Sequence, residues 1–177
     1  MKSTIVLALV SSSLILVLAA CGGDTGAEEF HNAGVALVDQ GQTEEAIGAF
    51  DEATWVDPRY AVAYDARGLA YFALGQPQRA IEDYSAAIVL DPQLAEAHRN
   101  RGAAYLSTGL NQLAIDNLDQ ALRLNPQSAE TLNSRGSAYL NLGQVQQALA
   151  DYDKAIRLDP QSSDAFNNRG FAHLNAG

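Results

Sequence analysis

Three histidines, one cysteine and a few closely spaced carboxylates are the residues of this chain whose types could do chemistry. Metal binding by histidine needs neighbours at short spacing, as when two histidines four residues apart share a helix face. His31, His98 and His173 stand 67 and 75 residues apart, with no such pattern around them. The single cysteine, Cys21, excludes an internal disulfide and any cysteine-based zinc site. Asp151-x-Asp153 and Asp116-x-x-Asp119 resemble the paired carboxylates of acid–base catalysis, but they fall on helical segments whose polar face is ordinarily solvated. No glycine-rich phosphate loop, GxSxG or Cys/His pair occurs. The expectation is no catalytic residue, no metal and no cofactor; an enzymatic role would need a domain outside these residues.

Charge narrows the partners. The 177 residues carry 11 Lys+Arg against 21 Asp+Glu, a net charge of −10, and only two lysines, Lys2 and Lys154. Such a chain repels phosphate backbones and anionic headgroups, so nucleic acid is excluded as a partner. With 47% hydrophobic residues the composition suits one soluble domain or a short repeat array that binds or scaffolds.

The first 21 residues read MKSTIVLALVSSSLILVLAAC. A lone charge at Lys2, apolar runs at Ile5–Val10 and Leu14–Leu18, and small residues at Ala19 and Ala20 have the order of a secretory signal. The stretch from Thr4 to Ala20 is short of the ~20 residues of a membrane-spanning helix, which makes a retained anchor the weaker reading. The ending Leu18-Ala19-Ala20-Cys21 resembles the bacterial lipobox. That resemblance implies a leader over 1–20, a lipid on Cys21, and attachment to a membrane of the bacterial envelope on its extracytoplasmic side. Residues 21–26 then form the lipidated cysteine and a tether; the six residues that follow Cys21, GGDTGA, span about 20 Å when stretched. The residue after Cys21 is glycine, not the aspartate that holds lipoproteins at the inner membrane in some two-membrane bacteria.

What must position the remaining polar residues is a repeat. Asp57-Pro58, Asp91-Pro92, Asn125-Pro126 and Asp159-Pro160 recur every 34 residues. Gly34, Gly68, Gly102, Gly136 and Gly170 keep the same spacing, as do Gly41, Gly75, Gly109, Gly143 and Gly177. Each unit ends in a helical stripe such as Ala80, Ile81, Tyr84, Ala87 and Ile88. A mid-helix glycine costs about 1 kcal/mol relative to alanine, so its recurrence argues that paired helices must approach closely there. The second glycine suits a left-handed helix end, and each Asp/Asn-Pro pair stops one helix and starts the next.

With Tyr64, Arg67-Gly68, Tyr71, Ala80, Tyr84, Ala87 and Pro92 in one unit, and Leu132, Arg135-Gly136, Tyr139, Ala148, Tyr152, Ala155 and Pro160 in another, the chain resembles the tetratricopeptide repeat family from about Ala27 onward. The third unit departs with His98 and Leu118 at two aromatic positions. The resemblance implies an all-α fold, an α-solenoid (right-handed superhelix) of antiparallel helix pairs. Its domain covers 27–177: full units at 27–60, 61–94, 95–128 and 129–162, and a partial unit at 163–177 that is one extra helix. Phe166, Phe171 and Leu174 make that helix a poor cap, so either an apolar strip stays exposed or the native chain is longer.

Two expectations concern side chains. Arg67, Arg101, Arg135 and Arg169 recur beside the mid-helix glycine, and Asp83, Asn117 and Asp151 recur on the second helices, whereas the first unit has Ala33 and Ala49 at both places. Their joint loss predicts pairing between helices. His98 and His173 occupy positions held by aromatics in other units and are expected to pack, while His31 is either ligand-facing or a solvated surface residue.

The family resemblance further implies that first helices line a concave groove holding an extended peptide or a partner's helix. Carried across, the groove residues are His31, Asn32, Asp65, Arg99, Asn100, Asn133, Asn167 and Asn168, with Glu28, Asp39, Glu96, Glu130, Asn141, Asp164 and Asn175 beside them. Asn32, Asn100 and Asn168 resemble the asparagines that hold peptide backbone in some relatives. The lysines of the family's carboxylate clamp are missing, and six acids face one arginine, so the expected ligand is a neutral or basic segment of a protein partner. The function expected is a membrane-anchored interaction scaffold. The alternatives are a self-associating structural envelope protein, with oligomeric state open, or the N-terminal part of a longer repeat protein.

Overall fold

The computed structural model describes residues 25–175; the leader, Cys21 and Gly177 lie outside them. Among the described residues there are nine helices and no strand: α1 Thr25–Asp39, α2 Thr43–Val56, α3 Ala61–Ala73, α4 Pro77–Leu90, α5 Ala95–Ser107, α6 Asn111–Leu124, α7 Ala129–Asn141, α8 Val145–Leu158 and α9 Ser163–Asn175. Helix α1 takes in Thr25 and Gly26, ahead of the Ala27 at which the first unit was placed. Each helix packs on its neighbours in sequence, giving the expected all-α solenoid.

The helix ends follow from the repeated residues. Gly41, Gly75, Gly109 and Gly143 have φ between 71° and 77°, which a side chain would strain. The residue after each glycine donates its backbone N–H to a carbonyl five positions back, as Gln76 does to Tyr71 at 2.9 Å, closing the odd helices. The even helices stop at Val56, Leu90, Leu124 and Leu158. There the side chain of Asp57, Asp91, Asn125 or Asp159 accepts the N–H two residues on, at 2.9–3.3 Å. Proline therefore sits inside a side-chain-closed turn, and the next helix begins three residues after it, not at the proline itself.

The core is a row of small residues and rings. Ala46, Ala80, Ala114 and Ala148 are wholly buried, and Phe50, Tyr84, Leu118 and Tyr152 are at most 1% exposed. Each of those four large side chains contributes roughly 1.5–3 kcal/mol by burial. Opposite them lie the mid-helix glycines. A Cβ on Gly68 would fall 2.7 Å from Tyr84, and one on Gly136 2.6 Å from Tyr152, so the ring occupies the volume that a side chain would need.

The recurring arginines fasten helices together as expected, and do more. Arg67 donates through Nε and Nη2 to both oxygens of Asp83 (2.8 and 2.6 Å), and Arg135 does the same to Asp151 (2.7 and 2.6 Å). The third nitrogen reaches back to the preceding even helix, to Asp51 at 2.6 Å and Asp119 at 2.5 Å. Each arginine thus staples three helices. Arg101 meets the neutral oxygens of Asn117 and Ser85 instead, and burial lowers its pKa, whereas the carboxylates raise those of Arg67 and Arg135. Asp119 and Asp153, whose polar helix faces are expected from sequence to be solvated, join Asp151 in this network, and Asp151 is buried.

Helix α9 is the exception. Ala165 and Ala172 are buried against α8, but Phe166, Phe171 and Leu174 are 44%, 61% and 82% exposed, so the apolar strip stands open among the described residues. His173 is exposed too. The same position in other units holds Tyr71, Tyr105 and Tyr139, which pack on the core through the helix that follows. No helix follows α9 among the described residues, so the packing expected for His173 does not occur.

Candidate inner face of the array

Curvature comes from unequal contacts. Successive odd helices (α1, α3, α5, α7, α9) touch one another, while no comparable contact joins successive even helices. The odd helices therefore lie on the inner side, and their solvent-facing residues form the candidate site.

Two rungs cross this face. Asn100 on α5 donates its amide to the Asp65 carboxylate on α3 at 3.0 and 3.2 Å. Asn168 on α9 donates to the Asn133 carbonyl on α7 at 3.0 Å. Both link residues 35 apart, the fifth position of one unit to the sixth of the next. Asp65 and Asn100 are buried, so this rung braces α3 against α5; Asn133 and Asn168 are half-buried and keep an amide group and a carbonyl oxygen for other partners.

Arg99 is engaged as well. It pairs with Glu96 at 2.6 Å and with Glu130 of the next odd helix. Its Nε is buried without a partner. Arg99 thereby neutralises two acids already on the face. Asn32 and Asn167 are exposed and make no side-chain hydrogen bond among the described residues, and Glu28 and Asp164 are exposed at opposite ends of the row. Between them Val35 and Leu69 are 41% and 45% exposed, giving shallow apolar contact.

His31 is half-buried. Its ring lies 5.8 Å from Phe50 and 5.6 Å from Tyr60, edge-on to the latter, and its Nδ1 has no partner. The residue that would complete a rung with it, Ala66, has no polar group. His98 is packed as expected: it is buried with Nε2 3.2 Å from the Pro92 carbonyl, and burial lowers its pKa. Among the described residues no group of three metal-ligating side chains comes together, and no helix is long and apolar enough to cross a membrane. A depression of about 240 Å³ beside Ala27, Glu28, Asp57 and Tyr60 is smaller than the pockets that enclose drug-sized ligands.

The Asp65 rung was not anticipated, because its partners are offset by one residue from the 34-residue period. Burial pushes the Asp65 carboxyl up from its ordinary value, against the lowering effect of the Asn100 hydrogen bond. A raised carboxyl means the folded state holds its proton more tightly than the unfolded chain. Stability from this group is then greatest below the ordinary carboxylate pKa and falls as pH rises through the folded value. Asp65→Asn, which makes a rung like Asn133–Asn168, is expected to match or exceed the parent by up to about 1 kcal/mol at pH 7, with the gain vanishing near pH 4. Urea melts at both pH values check the sign.

Comparisons with known proteins follow the same residues. The family model described as "TPR repeat" matches residues 34–75, 68–109 and 136–177, and two described as "Tetratricopeptide repeat" match 95–128 and 117–150. The chain is similar to a crystal structure of MamA at 30% identity, covering 81% of this chain and 84% of that one with a TM-score of 0.75. It is also similar to a MamA RS-1 double mutant at 25% identity, over 85% and 84% with a TM-score of 0.78. A third likeness is to the second TPR domain of human RPAP3 in complex with the HSP70 peptide SGPTIEEVD, at 28% identity, over 64% and 94% with a TM-score of 0.62. The search of curated proteins finds no match.

Proposed function

Because the chain belongs to the tetratricopeptide repeat family, we propose that it is a membrane-tethered adaptor of the bacterial envelope whose inner face holds a neutral or basic extended segment of a partner protein. A protein-interaction scaffold is supported by the fold and by a structural relative solved with a peptide bound. The charge of the inner face carries the finer reading. The peptide on the RPAP3 domain ends in Glu-Glu-Val-Asp. Here the inner face presents Glu28 and Asp164 openly, Arg99 already bridges Glu96 and Glu130, and Lys154 lies on the even helix α8. Electrostatic complementarity then selects a ligand of the opposite sign, and mostly through the association rate.

The open groups of Asn133 and Asn168 offer one donor and one acceptor edge to a peptide backbone, while Val35 and Leu69 supply contact area without demanding a sequence. The leader and Cys21 supply the tether. Two or more acyl chains at about 0.8 kcal/mol per buried CH₂ make a stable anchor, and the short spacer keeps the array near the bilayer.

The test uses labelled extended peptides, one lysine-rich and one glutamate-rich. The lysine-rich peptide is expected to bind more tightly at low salt, and Glu28→Lys with Asp164→Lys is expected to cut that preference about tenfold. A preference for the glutamate-rich peptide would contradict the reading. For the tether, Cys21→Ala is expected to abolish palmitate incorporation in the bacterial host; label that persists would remove the anchor from the account.

A further inference from the structure

We propose that one outer edge of the array, carrying Trp55 and Val89 with Arg123 and Arg157, is a contact surface for a zwitterionic lipid bilayer and turns the starts of the odd helices toward it. This rests on the tether reading above and goes further: the tether supplies proximity, and the edge supplies orientation.

The four residues hold one place in successive units. Each is the next-to-last residue of an even helix, and all four are exposed. A Cβ on Gly34 would meet Phe50, and one on Gly26 would sit 3.4 Å from Val56, so α1 and α2 run antiparallel. The ends of the even helices therefore lie beside the starts of the odd ones. Ala27 and Glu28 share a depression with Asp57 and Tyr60 at this same end. Thr25 follows Cys21 by four residues, about 14 Å of extended chain. A bilayer that holds Cys21 is within reach of this end, while the opposite end lies a further helix length away, about 20 Å.

The side chains suit that surface. Trp55, the chain's only tryptophan, is 66% exposed, and Val89 is 80% exposed. Val89 belongs to a unit with other units packed on both sides, so its exposure is a property of the outer edge and not of an end of the array. An indole has an apolar body and one N–H donor, and it settles at headgroup level, where both are satisfied. Arg123 and Arg157 continue the edge with groups that pair with lipid phosphates. Arg59, Arg123 and Arg157 are matched by Asp57, Asp91 and Asp159 in the same turns and helix ends. Without an excess of positive charge, the edge fits a headgroup bearing both signs better than an anionic one.

The chain's one thiol allows the test to be made whatever the natural modification. The mature chain from Cys21 is coupled through that thiol to a maleimide lipid in phosphatidylcholine vesicles, with plain or with acyl-brominated phosphatidylcholine. Palmitate labelling decides the natural tether separately, because coupling installs one in either case. Trp55 emission is expected to shift to shorter wavelength on coupling and to fall about twofold with brominated lipid. Val89→Asp, at an exposed position, is expected to reverse most of both changes. Trp55→Phe with Leu110→Trp moves the reporter to an exposed site at the opposite end and is expected to show neither change. Absence of quenching at position 55, or equal quenching at 55 and 110, would overturn the proposal. So would short-wavelength Trp55 emission from the uncoupled protein, because a second copy or another part of the chain would then cover the edge.

Discussion

Arg135→Ala is expected to destabilise the array by about 2–4 kcal/mol, read as a shift of the urea midpoint. The substitution leaves two carboxylates without their cation. Asp151, with a side chain 9% exposed, bears most of the loss; Asp119, at 36%, is solvated enough to contribute little. The figure sits below the cost of breaking a deeply buried pair because Arg135 itself is 21% exposed. Arg169→Ala is the internal control. Its pair with Asp153 is 33% and 48% exposed, so about 0–1 kcal/mol is expected. In a double-mutant cycle, Arg135→Ala and Asp151→Ala should be non-additive by about 1–3 kcal/mol. Strict additivity would mean that the two residues do not pair in solution.

Gly136→Val is the second large effect, expected to cost about 3 kcal/mol or more. The first added carbon falls 2.6 Å from Cε1 and 2.9 Å from Cδ1 of Tyr152, a ring with no exposed surface whose hydroxyl donates to Ser137 at 3.2 Å. The ring has nowhere to move, so α7 and α8 must separate. Even Gly136→Ala is expected to lose stability, although alanine improves helix propensity by about 1 kcal/mol. Gly170→Ala reverses the sign: its Cβ meets open space, so the propensity gain of about 0.5–1 kcal/mol remains. Thermal melts of the two alanine variants moving in the same direction would contradict the ring-in-slot geometry.

These opposed effects also show where the sequence was legible. A 34-residue period with glycine and alanine at fixed places could be read as close helix pairs, and the joint loss of arginine and aspartate in the first unit revealed the Arg135–Asp151 type of contact. The backward arm of the staple was missed. Asp51, Asp119 and Asp153 also recur at one register position, but Ser85 interrupts the series, and their helices' polar faces look like ordinary solvated surface. The inner rungs were missed for a geometric reason. Successive odd helices meet slightly out of phase, so Asp65 faces Asn100 and not the residue one period away, and a strict period conceals the pair. Asn100 was placed on the inner face by family resemblance; the structure shows its amide directed at Asp65 in a buried brace, with only its carbonyl unpaired. Exposure of His173 depends on what packs beyond α9, which no local pattern encodes.

The central claim is that the odd-helix face, and not the even-helix face, holds a partner polypeptide. Photo-crosslinking residues at Val35 and Leu69 on α1 and α3 test it against Trp55 and Val89 on α2 and α4, which are even more exposed at 66% and 80%. In cells that produce the protein, the inner positions are expected to give one discrete crosslinked partner, competed by a lysine-rich peptide, with none from the outer pair. A partner captured from Trp55 or Val89 but not from Val35 or Leu69 would contradict the account.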